Sequence, residues 1–278
     1  MKRILVPCDF SVQAKNAFAL ALDIARINMA EVIVLRVMER HLDYEAVSPD
    51  LSTYVSVEAT DKREQHAREE FEKMKAAHST SVACRMAIVK GAVTDSILEF
   101  IDKEDISLIV MGTKGASGLQ EVLIGSNTEK IVRFSKVPVI AVPQAVMLTD
   151  IKHIVLPSVL ELNQADFIKQ VKELQHLLNA VLWILVIVDR SSGRSQNEIR
   201  KQMEDFVSHY HLTNCVLKIR EDESIEKGII NFTSQVNADM IAMATHSRRG
   251  LAHLFSGSIT ENLVNRVSCP IWTYTIRK

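Results

Sequence analysis

The chain lacks clustered cysteines, an excess of charge of either sign, and any long hydrophobic run. Its four cysteines, Cys8, Cys84, Cys215 and Cys269, lie far apart and show no spacing suited to a metal site. A net charge of −1 supplies no global field to draw nucleic acid or a membrane surface. No apolar stretch approaches the roughly 18 to 20 residues that span a bilayer. The start, Met1-Lys2-Arg3 followed by Ile4-Leu5-Val6-Pro7, is too short for a signal-peptide core and soon meets Asp9. A cytoplasmic protein with reduced thiols is therefore expected, with neither nucleic acid nor membrane as partner. What the chain does have is 47% hydrophobic and 24% charged residues over 278 positions. That is enough for a packed core in one large domain or in two of about 140 residues each.

A duplication decides between these. Lys152 to Pro157, KHIVLP, repeats Lys2 to Pro7, KRILVP, at an offset of 150. Further on, MGTKGASGLQEVLIGSNTEKIV from Met111 lies over MATHSRRGLAHLFSGSITENLV from Met243 at an offset of 132. Identical pairs include Thr113/Thr245, Gly118/Gly250, Gly125/Gly257, Ser126/Ser258 and Glu129/Glu261. Two domains follow, 1–146 and 147–278, joined near Gln144 to Asp150.

Each repeat alternates strands and helices. In the first, residues 2–9, 32–38, 81–90, 107–111 and 137–143 read as strands. Helical faces at Ala14, Ala17, Phe18, Ala21 and Ala25, and at Val93, Ile97, Leu98 and Ile101, keep the 3.6-residue period. Arg40 to Thr60 reads as loop, and Asp61 to His78 as a charged, solvent-facing helix that buries Ala67, Phe71 and Met74. The prolines of Val137 to Pro143 suggest an edge strand. Strands too apolar for one-sided burial imply parallel sheets covered on both faces. The fold class expected is α/β: two tandem doubly wound, Rossmann-like parallel sheets of five strands each.

The stretch from Met111 to Glu129 carries the chemistry, with Gly112, Gly115, Gly118 and Gly125 between a strand and a helix start. Glycine lets backbone N–H groups approach a ligand without an intervening Cβ. A strand, a glycine loop and a helix N-terminus together form an anion site. The spacing Gly112-x2-Gly115-x9-Gly125-Ser126 matches neither the P-loop nor the dinucleotide fingerprint. Ser126 and Glu129 also satisfy a capping box, which needs no ligand. Asp9 follows the first strand and either caps the next helix or faces a ligand, with Ser11 available as the alternative cap. Cys8 beside it is either a small apolar filler or a thiol activated by a helix N-terminus.

On these residues the chain resembles the universal stress protein family. The resemblance rests on Pro7-Cys8-Asp9 after the opening strand, the glycine loop and the closing Val-Pro-Val, and it covers nearly the whole chain as a tandem pair. It implies an ATP site, with or without Mg²⁺. In it Gly112, Gly115, Gly125 and Ser126 hold the phosphates, Asp9 meets the adenosine end, and the backbone near Val37 adds a contact. Pro7, Cys8, Met111, Thr113, Lys114 and Asn127 complete the candidate set. The family dimerises through its last strand, a pairing that tandem halves can make internally; a homodimer of tandem chains also stays open.

The second repeat departs from the pattern. Asp9 aligns with Val159, Gly112 with Ala244 and Gly115 with Ser247. His246, Arg248, Arg249 and His253 there form either a solvated basic loop or a side-chain anion site. One competent site, in the first repeat, is expected. ATP as a regulatory ligand leads the functional readings; a slow ATPase or phosphotransferase and a nucleotide-free scaffold are the alternatives.

Overall fold

The structure, a computed structural model, describes residues 1–39, 49–113, 125–189, 195–246, 263 and 266–276, with the backbone alone described at 49–60, 189 and 246. The first repeat runs β1 (Arg3–Pro7), α1 (Val12–Asn28), β2 (Glu31–Met38), α2 (Pro49–Ala76), β3 (Cys84–Lys90), α3 (Val93–Lys103), β4 (Leu108–Gly112), α4 (Ser126–Phe134) and β5 (Val139–Val142). A 3-10 turn at Leu148–Asp150 leads to β6 (His153–Pro157), α5 (Ala165–Leu178), β7 (Val181–Asp189), α6 (Gln196–Tyr210), β8 (Cys215–Asp222), α7 (Ile225–Gln235), β9 (Met240–His246) and β10 (Ile271–Ile276).

All ten strands join one sheet in the order β3-β2-β1-β4-β5-β10-β9-β6-β7-β8. Among the described residues, pairing is parallel within each repeat and antiparallel only at the seam, where Ile140 of β5 faces Trp272 of β10. Those two residues correspond at the repeat offset of 132, so the seam sits on a pseudo-two-fold axis. The last strands of the two repeats therefore pair with each other. This corrects the reading of β5 as an edge. Pro138 and Pro143 flank the strand rather than interrupt it, so its ladder is free to bond β4 on one side and β10 on the other.

Strand alternation divides the core. Ile4 and Val6 of β1 point to the face carrying α1, while Leu5 joins Ile97 and Ile101 of α3 and Ile131 of α4 on the other. In the second repeat Ile154 and Leu156 share the first face with α5 and α6, and Val155 packs with Ile229 and Phe232 of α7. The predicted stripe of α1, Ala14 to Ala25, is buried as expected, and Ser11 caps the helix by accepting from Ala14 N–H at 3.3 Å.

The reading of Arg40 to Thr60 as loop is corrected where the chain is described, since α2 begins at Pro49. Proline suits a first helical turn, where its missing N–H costs nothing. The following Thr53, Val55, Val57 and Thr60 are β-branched and weak helix formers, which hid the helix from propensity. Its later part buries Ala67, Phe71 and Met74 as predicted. Among the described residues no helix is long and apolar enough to cross a membrane.

Candidate functional site

Strand order reverses at β1, which has β2 on one side and β4 on the other. Open α/β sheets bind ligands beyond the carboxyl ends of such strands. There a crevice of about 280 Å³ opens between the turn after β1, the end of β2, the end of β4 and the first turn of α4.

The turn after β1 is built from short backbone bonds. Cys8 N–H donates to Leu35 O at 2.9 Å, and Phe10, at a φ of 65°, donates its N–H to Cys8 Sγ at 3.4 Å. Asp9 Oδ1 accepts from Ser11 N–H at 3.0 Å, while Ser11 itself caps α1. The carboxylate thus braces the turn and lines the crevice. Cys8 is buried, and burial pushes its thiol up to about 11, so it is a neutral filler and not an activated nucleophile.

The second repeat rebuilds this turn without the acid. Ser158 N–H donates to Leu185 O at 2.9 Å, and Leu160, at a φ of 64°, donates to Ser158 Oγ at 3.0 Å. Ser158 replaces Cys8 as acceptor, and Val159 stands where Asp9 would be. The geometry of the turn therefore does not depend on a carboxylate.

Across the crevice, Gly112 ends β4 with no room for a side chain. A Cβ there would lie 2.8 Å from the backbone carbon and Cβ of Gln13, in the first turn of α1. Close helix packing thus requires this glycine whether or not a ligand is held. In the second repeat Ala244 takes its place, because α5 opens at Ala165 where the repeat offset from Val12 falls on Leu162. The turn that would collide with a methyl group is absent there.

Thr113 donates its N–H to Val142 O at 3.2 Å, and its carbonyl accepts from Gly125 N–H at 2.9 Å. That second bond staples the two ends of the glycine loop together. The helix after it corrects the capping-box reading. The N-cap of α4 is Gly125, whose carbonyl accepts from Thr128 N–H at 2.9 Å and Glu129 N–H at 3.3 Å, so Ser126 is already inside the helix. Glycine has no side chain to cap with, which leaves the leading N–H groups of α4 without a side-chain acceptor from the cap position. Thr128 Oγ1 ties the same turn to Gly112 O at 3.0 Å, and Thr94 Oγ1 donates to Asn127 Oδ1 at 3.2 Å.

Of the candidate residues, Pro7, Cys8, Asp9, Val37, Met111, Gly112, Gly125, Ser126 and Asn127 all line this crevice. Thr113 is buried behind it and does not. Lys114 and Gly115 lie outside the described residues, as do Ser247, Gly257, Ser258 and the side chains of His246, Arg248, Arg249 and His253.

Sequence reasoning missed Arg36, Thr128 and the apolar wall of Leu35, Val93 and Ile97. Arg36 left one signal, a lone cation inside the apolar run VIVLRVM. Its Nη1 donates to Cys8 O at 3.5 Å. The crevice therefore offers a helix N-terminus and a guanidinium for anionic groups, an apolar wall for a flat ring, and Asp9 as an acceptor for hydroxyls. These residue types fit a nucleotide. Asp9 is the one carboxylate lining the crevice among the described residues. A magnesium ion held mainly by phosphate oxygens and water needs no more than one or two.

Comparison with known proteins adds family relationships. The model of the universal stress protein family matches residues 1–143 and 168–274. Universal stress protein MJ0531 of Methanocaldococcus jannaschii is 30% identical over 141 residues, covering 51% of this chain and 81% of its own length. Universal stress protein MJ0577 of the same organism is 26% identical over 153 residues, covering 51% of this chain and 94% of its own. Each of these relatives spans about half the chain, as a single repeat would. A universal stress protein of Archaeoglobus fulgidus superposes over 98% of both chains with a TM-score of 0.73 at 20% identity, a likeness of fold.

Proposed function

The chain belongs to the universal stress protein family, and on that premise we propose that its first repeat binds ATP, with or without Mg²⁺, as a regulatory ligand. The observation that carries this reading is the meeting of nine of the candidate residues at one crevice beside the strand-order reversal. In the proposed complex the first-turn N–H groups of α4 and the Arg36 guanidinium hold phosphate oxygens. The ring lies against Leu35, Val37, Val93 and Ile97, and Asp9 accepts from a ribose hydroxyl. Gly115, Lys114 and the rest of the glycine loop belong to the phosphate side of the same proposal. The division into domains 1–146 and 147–278 and a cytoplasmic location are part of the reading.

ATP acts here by occupancy. A ligand at 100 times its Kd stabilises the native state by about 2.7 kcal/mol, and it shifts a loop or a partner surface only as far as it binds one arrangement more tightly than the other. The experiment is thermal unfolding with and without ATP and Mg²⁺, run beside product analysis. The reading expects a stabilising shift with no more than a single turnover of product. Multiple turnover would make the protein an ATPase, and no shift at millimolar ATP would make the crevice a vestige.

A further inference from the structure

A pair of polar side chains joins α3 to α4 beside the crevice. Thr94 stands in the first turn of α3 and Asn127 in the first turn of α4, and both are half-buried. Thr94 Oγ1 donates to Asn127 Oδ1 at 3.2 Å. Asn127 lines the crevice and Thr94 does not. A carboxamide offers an acceptor oxygen and two N–H donors, whereas a threonine hydroxyl has a single proton to give. With that proton on Oδ1, the amide is turned so that Nδ2 is its open end. Among the described residues Nδ2 has no acceptor.

The second repeat carries neither member of the pair. Its α7 opens at Ile225, which lies at the repeat offset of 132 from Val93, the first residue of α3. At that offset Thr94 becomes Glu226 and Asn127 becomes Ile259. Glu226 turns instead to the guanidinium of Arg266, at 3.1 Å. An acid thus replaces the hydroxyl and an aliphatic side chain replaces the amide, in the repeat that also has Val159 where the first has Asp9. Because α7 holds its place on the sheet without such a pair, helix packing alone does not call for an amide at this point.

We propose that Thr94 is a positioning residue for the nucleotide site, a role that rests on the ATP reading. It fixes the Asn127 amide with Nδ2 turned to the phosphates. Asn127 touches the ligand, and Thr94 acts only through it. The N–H groups at the start of α4 serve any anion that reaches the helix end. A fixed amide adds donors at one place, and these reward a phosphate chain and give nothing to a bare nucleoside. Hydrogen bonds to charged groups are the stronger kind, so a donor held ready for phosphate raises the preference for ATP over adenosine.

The test is a double-mutant cycle on the full chain, with ATP and adenosine titrated separately by calorimetry. Asn127→Leu keeps the volume and removes the donors, and should raise the Kd for ATP roughly ten-fold, the order of one bond to a charged group. Thr94→Val keeps the shape and removes the proton, and should raise it about five-fold, with a smaller change for adenosine. Adding Thr94→Val to Asn127→Leu should bring no further loss. Thr94→Ser keeps the proton and should bind ATP as the parent does. Equal losses for ATP and adenosine, additive losses in the double variant, or no rescue by serine overturns the role of Thr94. A parent that binds ATP no better than Thr94→Val overturns it too and leaves the ATP reading standing. A parent that binds no ATP removes that reading and the role with it.

Discussion

Replacing Gly112 with alanine tests the packing that sets the crevice. The added Cβ would lie 2.8 Å from the backbone carbon and Cβ of Gln13 and 3.0 Å from its oxygen, against an ordinary contact of about 3.4 Å or more. The colliding atoms are mostly backbone, so no side-chain rotation relieves them. They are also anchored, because Lys15 N–H donates to Ser11 O at 3.0 Å and Ser11 N–H is held by Asp9. Overpacking of this kind costs about 2 kcal/mol, which for chains near this size lowers Tm by roughly 4–8 °C. The displacement is transmitted through Ser11 to Asp9, so the stabilising shift proposed for ATP should shrink as well. Differential scanning calorimetry with and without ATP measures both effects. A Gly112→Ala protein that melts within about 1 °C of the parent would refute the close approach. A destabilised protein with its full ATP shift would refute the link from α1 to the site.

Other perturbations have equally definite outcomes. Burial pushes the Cys8 thiol up to about 11 from 9.0, so the folded chain keeps a proton that the unfolded chain loses first. The stability tied to that thiol is complete below pH 9 and is lost as pH rises through about 11. A Cys8→Ala protein should therefore show a shallower alkaline loss in urea titrations, and an unchanged slope would contradict this. Gln175 is buried and its Nε2 lies 3.2, 3.0 and 3.1 Å from the carbonyls of Ala180, Thr213 and Asn214. Gln175→Leu should cost about 1 kcal/mol in chemical denaturation, since Ala180 O keeps Asn214 Nδ2 and Asn214 O keeps Leu182 N–H as donors. Ser11→Ala removes the α1 cap and should cost about 1 kcal/mol, read the same way.

The duplication was the most legible feature of the chain, because repeated strands such as KRILVP and KHIVLP keep both sequence and period. Burial on both faces forces those strands to be continuously apolar, and the structure uses them that way. The seam was less legible. Val139–Val142 carries flanking prolines that mimic an edge, and only the second repeat shows what covers it. At the glycine loop, Ser126 and Glu129 satisfy the letters of a capping box, yet the helix starts from Gly125 because a carbonyl acceptor there serves two N–H groups. Gly112 was read as room for a ligand, whereas its nearest constraint is Gln13, a contact between helix and strand that no local pattern encodes. Arg36 stood in plain view inside β2, but only the pairing of β1 with β2 brings it beside Cys8.

We propose one nucleotide site per chain, in the first repeat. Isothermal titration of the full chain with ATP and Mg²⁺, repeated on Gly115→Val and Ser247→Val, measures this directly. One ATP per chain is expected, with binding abolished by Gly115→Val and unchanged in Ser247→Val. Two nucleotides per chain, or equal losses in the two variants, would contradict it.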